Sequence, residues 1–308
     1  MLERGETDMI EVRELTKTFD NIKAVDSVST TISECQIFGL VGSNGAGKST
    51  FLRLLSGVLK PDKGQILIDG EEVYENSSVK EEVCFLSDTA YFLPNATAKT
   101  MKNYYKMIYR KFNEEQFDKL AEKFHIEQER KISAFSKGMK KQVSMLLGVC
   151  SNTKYLLCDE TFDGLDPVMR QAVKSLFASE TLSREFTPII ASHNLRELED
   201  ICDAVGLLHK GGILFTRDLE DMKFHIHKVQ CVIQNSVMEE KLLSELEVLQ
   251  HEKRGSVLSF ISRGTREEIM SRVEEKEPVF MESIPLSLEE IFISEMEVEG
   301  YDIKNFIL

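Results

Sequence analysis

The sequence predicts an α/β fold: a largely parallel sheet covered by helices on both faces, an antiparallel β part at its N-terminal side, a helical subdomain, and a small α+β domain at the C-terminus. Three observations lead there. Short apolar runs, such as Ile37-Phe38-Gly39-Leu40-Val41 and Tyr155-Leu156-Leu157-Cys158, alternate with helical segments. Uninterrupted apolar runs of this length are how strands buried on both faces read. A helical stretch occupies about residues 93–151, and from about Arg217 the order becomes β-α-β-β-α-β, that of a ferredoxin-like unit. The expected domains are residues 1–223 and 224–308.

Along the chain, residues 10–15 and 23–32 read as strands around polar turns, and 35–41 as a buried strand. A helix starts at Lys48, carries Leu52, Leu54 and Leu55, and stops at Gly57. Pro61-Asp62-Lys63-Gly64 is a turn, and strand 65–68 enters a hairpin at Asp69-Gly70. Asn113 and Gln116 are spaced as a capping box before a helix ending near Phe124. Strand 155–159, helix 169–177, strand 188–192, helix 195–202 and strand 205–208 complete the first domain. In the second, strands 228–234, 247–250, 256–261 and 278–282 alternate with helices 238–246 and 266–274.

The 308 residues are 42% hydrophobic and 29% charged, enough apolar surface for a buried core. A net charge of −14 excludes the basic, clustered surface of a nucleic-acid-binding protein, so no nucleic acid is expected as a partner. The six cysteines are scattered without a C-x-x-C pair, mostly inside apolar runs, which fits small buried hydrophobes in a reducing compartment. The start, MLERGETDMI, has no apolar signal region, and no run approaches the roughly 18 apolar residues of a membrane span. A cytoplasmic protein that does not itself cross a bilayer is expected.

Gly42-Ser43-Asn44-Gly45-Ala46-Gly47-Lys48-Ser49 matches G-x-x-x-x-G-K-[ST] between a predicted strand and a predicted helix. Its glycines let backbone N–H groups turn toward phosphate oxygens, and the helix N-terminus adds its positive dipole end. Lys48 supplies a charge to the β and γ phosphates, and the Ser49 hydroxyl suits Mg²⁺. A glycine-rich turn before an ordinary helix would not require all eight positions. Further on, the apolar run 155–158 ends in Asp159 and Glu160. Asp159 would hold the Mg²⁺ shell, and Glu160 would accept a proton from an attacking water. Two acids at a strand end are common; they carry chemistry when that strand follows a phosphate loop. His225 and His227 alone do not complete a metal site and fit a solvated strand. Glu197, Glu199 and Asp200 read as a polar helix face, and so do Glu289, Glu290, Glu295 and Glu297.

Three further elements follow one another: Ala134-Phe135-Ser136-Lys137-Gly138-Met139, Gly164-Leu165-Asp166-Pro167, and Ile190-Ala191-Ser192-His193-Asn194. As a set in this order they resemble the ABC (ATP-binding cassette) ATPase family over about residues 9–223. The resemblance points to a P-loop NTPase core of ABC type, nearest the branch serving bacterial exporters of antimicrobial peptides and drugs. It implies that Phe19 stacks on adenine, that Gly42 through Thr50 form Walker A, and that Asp159 and Glu160 form Walker B with its catalytic glutamate. It also implies that Ser136 and Gly138 contact the γ-phosphate of ATP held by an opposing cassette, that Asp166 is the D-loop aspartate, and that His193 senses γ-phosphate. A helix starting at Ser136 presents free N–H groups to an anion, which need not belong to the same chain.

The chain departs from the family pattern in places. Lys137 stands where glycine is usual, Met139 replaces glutamine, Thr161-Phe162 stands where Pro-Thr is commoner, and Ser43 replaces proline. Asp88 occupies the place of the Q-loop glutamine, where it would offer Mg²⁺ a charged oxygen. These changes bear on hydrolysis rate and coupling more than on ATP binding. The resemblance implies ATP and Mg²⁺ as cofactors, a second cassette in a homodimer or heterodimer, and a separately encoded membrane permease. The chain would then be peripheral on the inner face of the cell membrane. A soluble non-transport ABC ATPase and a regulatory nucleotide-binding module are the alternatives. Ribosome-acting relatives usually carry two cassettes, and chromosome-maintenance ATPases insert a coiled coil between Lys48 and Ser136; neither feature is present.

Overall fold

The computed structural model of the chain describes residues 9–298, and the chain divides into two compact units between Thr216 and Arg217. A helix, Leu219–His225, runs across position 223, where the sequence alone places the change of domain.

The first unit opens with β1 (Met9–Phe19) and β2 (Ile22–Ser33), an antiparallel pair with Met9 opposite Ser33 and Phe19 opposite Ile22. The fully buried β3 (Phe38–Val41) leads into α1 (Lys48–Leu55), which stops at Ser56 and Gly57. β4 (Lys63–Ile68) returns to pair with β1, then turns through Asp69 (φ 52°) and Gly70 (φ 81°) into β5 (Glu71–Glu72). Positive φ at both central residues is the tight-turn geometry that matches strand twist. α2 (Ser77–Glu81) and β6 (Val83–Leu86) follow. β6 is absent from the pattern-based reading because four apolar residues are too few for periodicity to separate strand from helix.

Next come α3 (Ala98–Ile108), α4 (Glu114–Lys123) and α5 (Lys137–Cys150). The expected capping box on α4 is half made. Asn113 Oδ1 accepts from the Gln116 backbone N–H at 3.0 Å, but the Gln116 amide donates to Glu180 instead of turning back. β7 (Tyr155–Asp159), α6 (Pro167–Ser183), β8 (Thr187–Ser192), α7 (Leu195–Glu199), β9 (Ala204–His209) and β10 (Gly212–Asp218) complete the layer.

The second sheet has the order β10-β9-β3-β8-β7-β6, and its five strands from β9 to β6 are parallel. Successive residues of β7 face opposite ways. Leu157 joins one core with Phe51, Leu52 and Leu55 of α1 and with Ile10, Val12 and Ile66 of the antiparallel sheet. Leu156 points toward α5, where a Cβ added at Gly148 would lie 3.0 Å from Leu156 Cδ1 and 2.8 Å from Leu86 Cδ1.

The expected polar face of α7 is partly internal. Glu197 is buried and accepts from the Ser192 hydroxyl at 2.9 Å, while Asp200 accepts from Lys174. Cys84, Cys150, Cys158, Cys202 and Cys231 are buried, and Cys35 is half-buried. Burial pushes the Cys231 thiol up to about 11 and raises those of Cys84, Cys150, Cys158 and Cys202, so these thiols stay protonated. Among the described residues no helix is long and apolar enough to cross a membrane.

In the second unit, α8 (Leu219–His225) precedes β11 (Ile226–Val232), α9 (Ser236–Glu245), β12 (Glu247–Arg254), β13 (Val257–Arg263), α10 (Arg266–Glu274) and β14 (Phe280–Ile284). The strand order β12-β13-β11-β14 is that of one antiparallel sheet, with Val229, Cys231, Leu242, Phe260 and Val273 in its core. α11 (Leu288–Val298) is added beyond the β-α-β-β-α-β order. Its Glu290 is not simply solvated: it accepts from Lys228 at 2.7 Å and from the Ser287 N–H at 3.1 Å. The side chains of Glu295 and Glu297 lie outside the described residues.

Leu157 is fully buried between the two sheets, so Leu157→Ala should cost about 2–5 kcal/mol. The expected result is a lower urea midpoint, followed by circular dichroism, with an unchanged denaturant slope.

Candidate functional site

Three parallel strands deliver the site. β3, β8 and β7 end level with one another, Val41 opposite Ser192 and Asp159 opposite Ala191. The loop after β3 wraps tightly: a Cβ at Gly42 would meet Leu208 O at 2.4 Å, and one at Gly47 would meet Ala24 O at 2.1 Å. Gly47 also takes φ 105°, which residues with a side chain rarely adopt. Within the loop the Ala46 N–H donates to Ser43 O, with Asn44 and Gly45 exposed at the tip. Gly47 caps α1 without a side-chain bond among the described residues, which leaves the first N–H groups of α1, at Lys48, Ser49 and Thr50, for an anion. Lys48 is 6% exposed. Its ammonium donates to Gly42 O at 2.6 Å and Ser43 O at 3.2 Å and lies 3.4 Å from Glu160 Oε1.

Asp159, the last residue of β7, is buried and accepts from the Ser49 hydroxyl at 3.0 Å. Burial raises its carboxyl above the ordinary range, the Ser49 bond lowers it, and Glu160 raises it again. An oxygen pair of this kind, beside a phosphate-binding loop, is a donor set that fits Mg²⁺. Glu160 has left-handed backbone (φ 49°), which costs a non-glycine residue on the order of 1 kcal/mol. Its N–H donates to Ala191 O at 3.0 Å, its carbonyl accepts from Lys141 at 2.5 Å, and its Oε2 lies 2.8 Å from His193 Nδ1. One carboxylate thus reaches Lys48 on one oxygen and His193 on the other.

The remaining sequence-predicted residues stand apart from this cluster or face outward. Ser136 is exposed and caps α5, accepting from the Met139 N–H at 3.2 Å. Gly138, in the first turn of α5, packs against the loop after β7, where an added Cβ would lie 3.1 Å from Gly164 O. Asp166 caps α6 through the Met169 N–H at 2.9 Å. Phe19 is 44% exposed at the end of β1, with Lys17 Nζ 5.7 Å from its ring centre, so its face is not core. Asp88 carries its carboxylate 3.2 Å from Lys141 Nζ, beside a cavity of about 760 Å³ that the loop 88–96 and the start of α5 line. His225 and His227 are held locally, by Asp221 and by the Phe224 carbonyl. No group of three or more His, Cys, Asp or Glu among the described residues is placed to hold a metal.

Sequence reasoning missed Lys141 and Asp163. Lys137 donates to Asp163 at 2.8 Å, which holds that carboxyl below the usual range, and Lys141 Nζ lies 3.9 Å from it. A signal was present for Lys141: with Met145 and Gly148 it falls on the buried side of α5, where a charge is out of pattern.

The chain is similar to several known proteins. The family described as "ABC transporter" matches residues 25–163. The ABC transporter ATP-binding protein YtrB of Bacillus subtilis (strain 168) is 31% identical over 93% of this chain and 97% of its own length. The bacitracin transport ATP-binding protein BcrA of Bacillus licheniformis is 31% identical over 67% of this chain and 68% of its own. Among solved structures, an ATP-binding subunit of an ABC transporter superposes with a TM-score of 0.64 at 23% identity, covering 70% of this chain and 92% of that one.

Because a Cβ at position 47 would strike backbone, Gly47→Ala must displace the loop. ATP binding, measured by fluorescence with a labelled nucleotide, should weaken at least about tenfold, and the urea midpoint should fall as well, because alanine is strained at φ 105°.

Proposed function

This chain belongs to the ABC transporter family, as an ATP-binding subunit and ATPase, and from that membership we propose how its own residues split ATP and what work the reaction drives. The observation that carries the reading is Glu160, which reaches both Lys48 and His193 at the mouth of the phosphate loop.

The β and γ phosphates of ATP lie along the loop 42–47 against the N–H groups of Lys48, Ser49 and Thr50. A phosphate oxygen takes the place of Glu160 beside Lys48, which frees that carboxylate to face a water. Mg²⁺ held by Ser49 and Asp159 would offset the negative charge of the β and γ phosphates. Glu160 takes a proton from the water as its oxygen bonds to the γ-phosphorus, and the bond to the β-bridging oxygen breaks to release ADP. His193, through Nδ1, keeps the Glu160 carboxylate turned toward the reacting centre. Phe19, with one face open, stacks on adenine.

Ser136 is exposed and caps α5, with Gly138 in the first turn. The exposed start of α5 supports their use by an ATP held in a second cassette, with Asp166 at the junction, and closure then depends on γ-phosphate. The pair of cassettes works on a separately encoded membrane permease at the inner face of the cell membrane. Family membership does not set direction. Similarity to the bacitracin transport subunit supports export of an antimicrobial peptide or a similar amphipathic compound.

Glu160→Gln keeps the size of the side chain and one acceptor oxygen but not the base. It should bind ATP within about threefold of the original while turnover falls at least about 100-fold. A strain lacking the gene should regain bacitracin tolerance with the original chain and not with Glu160→Gln. Near-normal phosphate release by the variant would remove Glu160 from its role, and unchanged tolerance in the deletion strain would remove bacitracin as the cargo. The dimer has its own test. Mixing Ser136→Arg with Lys48→Ala chains puts both lesions in one composite site, so partial ATPase activity should return. No recovery, together with weaker ATP binding by isolated Ser136→Arg chains, would place Ser136 in its own chain's site.

A further inference from the structure

We propose that Lys141 is a positioning residue for ATP hydrolysis: its buried ammonium clamps the backbone of Glu160 and ties that clamp to Asp88, so that the loop after β6 sets the aim of the base. The proposal rests on the reading of Glu160 as the base.

The geometry begins with a misplaced charge. Lys141 is 4% exposed, on the buried side of α5. An ammonium taken out of water needs oxygens for its three donors. Three lie within ion-pair range: Glu160 O at 2.5 Å, Asp88 Oδ1 at 3.2 Å and Asp163 Oδ2 at 3.9 Å. They come from two segments: Glu160 and Asp163 from the turn after β7, and Asp88 from the loop after β6. The shortest of the contacts is to a neutral carbonyl and not to either carboxylate. Charge neutralisation alone does not account for that preference.

What the carbonyl contact accomplishes follows from the backbone. Glu160 sits at φ 49°, a region that a residue with a Cβ leaves readily for the β or α basin. Its two flanking peptide groups are both tied: the N–H to Ala191 O at 3.0 Å, and the carbonyl to Lys141. With both ends held, the Cα–Cβ vector is fixed, and the carboxylate falls between Lys48 and His193. Without the ammonium, the peptide between Glu160 and Thr161 is free to rotate and swings the carboxylate with it. Catalysis is sensitive to such shifts, since about 1 Å of misplacement can cost on the order of 100-fold.

Asp88 adds the second half of the device. Its side chain is 54% exposed while that of Lys141 is 5% exposed, so the pair spans the distance from a solvent-facing loop to the interior. A shift of the loop that carries Asp88 therefore pulls on the same nitrogen that holds Glu160.

The test is steady-state ATPase kinetics with nucleotide binding on the full chain. Lys141→Met removes the donors and keeps the bulk. Its kcat should fall at least about tenfold while the Kd for ATP stays within about threefold, a split that loss of folding would not produce. Lys141→Arg, which retains charge and donors, should restore part of the loss. Combined with Glu160→Gln, Lys141→Met should subtract nothing further, because the group it positions is gone. Normal turnover in Lys141→Met, a fall in ATP binding equal to the fall in kcat, or a full additional loss in the double variant would each overturn the proposal. If Lys141→Met does not fold, Asp88→Ala at the exposed end serves instead: a drop of about threefold in kcat with unchanged Kd supports the link, and unaltered kcat sinks it. Near-normal turnover in Glu160→Gln alone would defeat the underlying reading. Lost turnover there beside an unaffected Lys141→Met would defeat only the role of Lys141.

Discussion

Side-by-side parallel pairing of β3, β8 and β7 is the constraint on which the site depends. Pairing puts Val41 opposite Ser192 and Asp159 opposite Ala191, so three chain segments leave the sheet at one edge. Open parallel sheets bind ligands at the carboxyl ends of their strands for this reason. The phosphate loop, the two acids and the histidine are far apart in sequence and need no further device to meet. Burial on both faces makes the pairing rigid: every residue of β3, β7 and β8 is buried.

Charge inside this edge is compensated group by group, although the chain as a whole carries −14. Lys48 has the loop carbonyls and Glu160, Asp159 has the Ser49 hydroxyl, and Lys141 has Glu160 O, Asp88 and Asp163. Buried ions survive when geometry and hydrogen bonds repay their lost hydration. An arriving triphosphate does not fill an empty electrostatic hole here. In the proposed mechanism it exchanges with an internal partner, and the exchange at Lys48 sets Glu160 free to meet water.

Much of this was legible in the sequence, for physical reasons that differ by element. The phosphate loop is local: glycine spacing, lysine and hydroxyl sit within eight residues, and the backbone geometry follows from them. Asp159 and Glu160 were legible because an apolar strand ends on them. The second unit's order was visible in its alternating pattern, and α11 in the acids that read as a polar helix face. Lys141 was not assigned because its partners lie 53 and 19 residues away, on different segments. Asp88 reads from the sequence as an oxygen for Mg²⁺, and its Lys141 partner is visible only with the helix packed against it. The Asn113 cap was readable from spacing, whereas the turn of Gln116 toward Glu180 depends on α6 coming alongside. Local chemistry can be read in one dimension, and pairing between distant segments cannot.

The left-handed backbone at Glu160 has a consequence for how this protein can change. Glycine, or asparagine, would sit at φ 49° with less strain than glutamate. The residue that suits the backbone is therefore not the one that the proposed chemistry needs. Under the proposed role of Glu160, drift toward stability at this position would yield a sturdier chain that still binds ATP and turns it over poorly. Selection for turnover has to hold the strained residue in place against that drift, and the two clamps on its peptide groups are part of how the fold tolerates it.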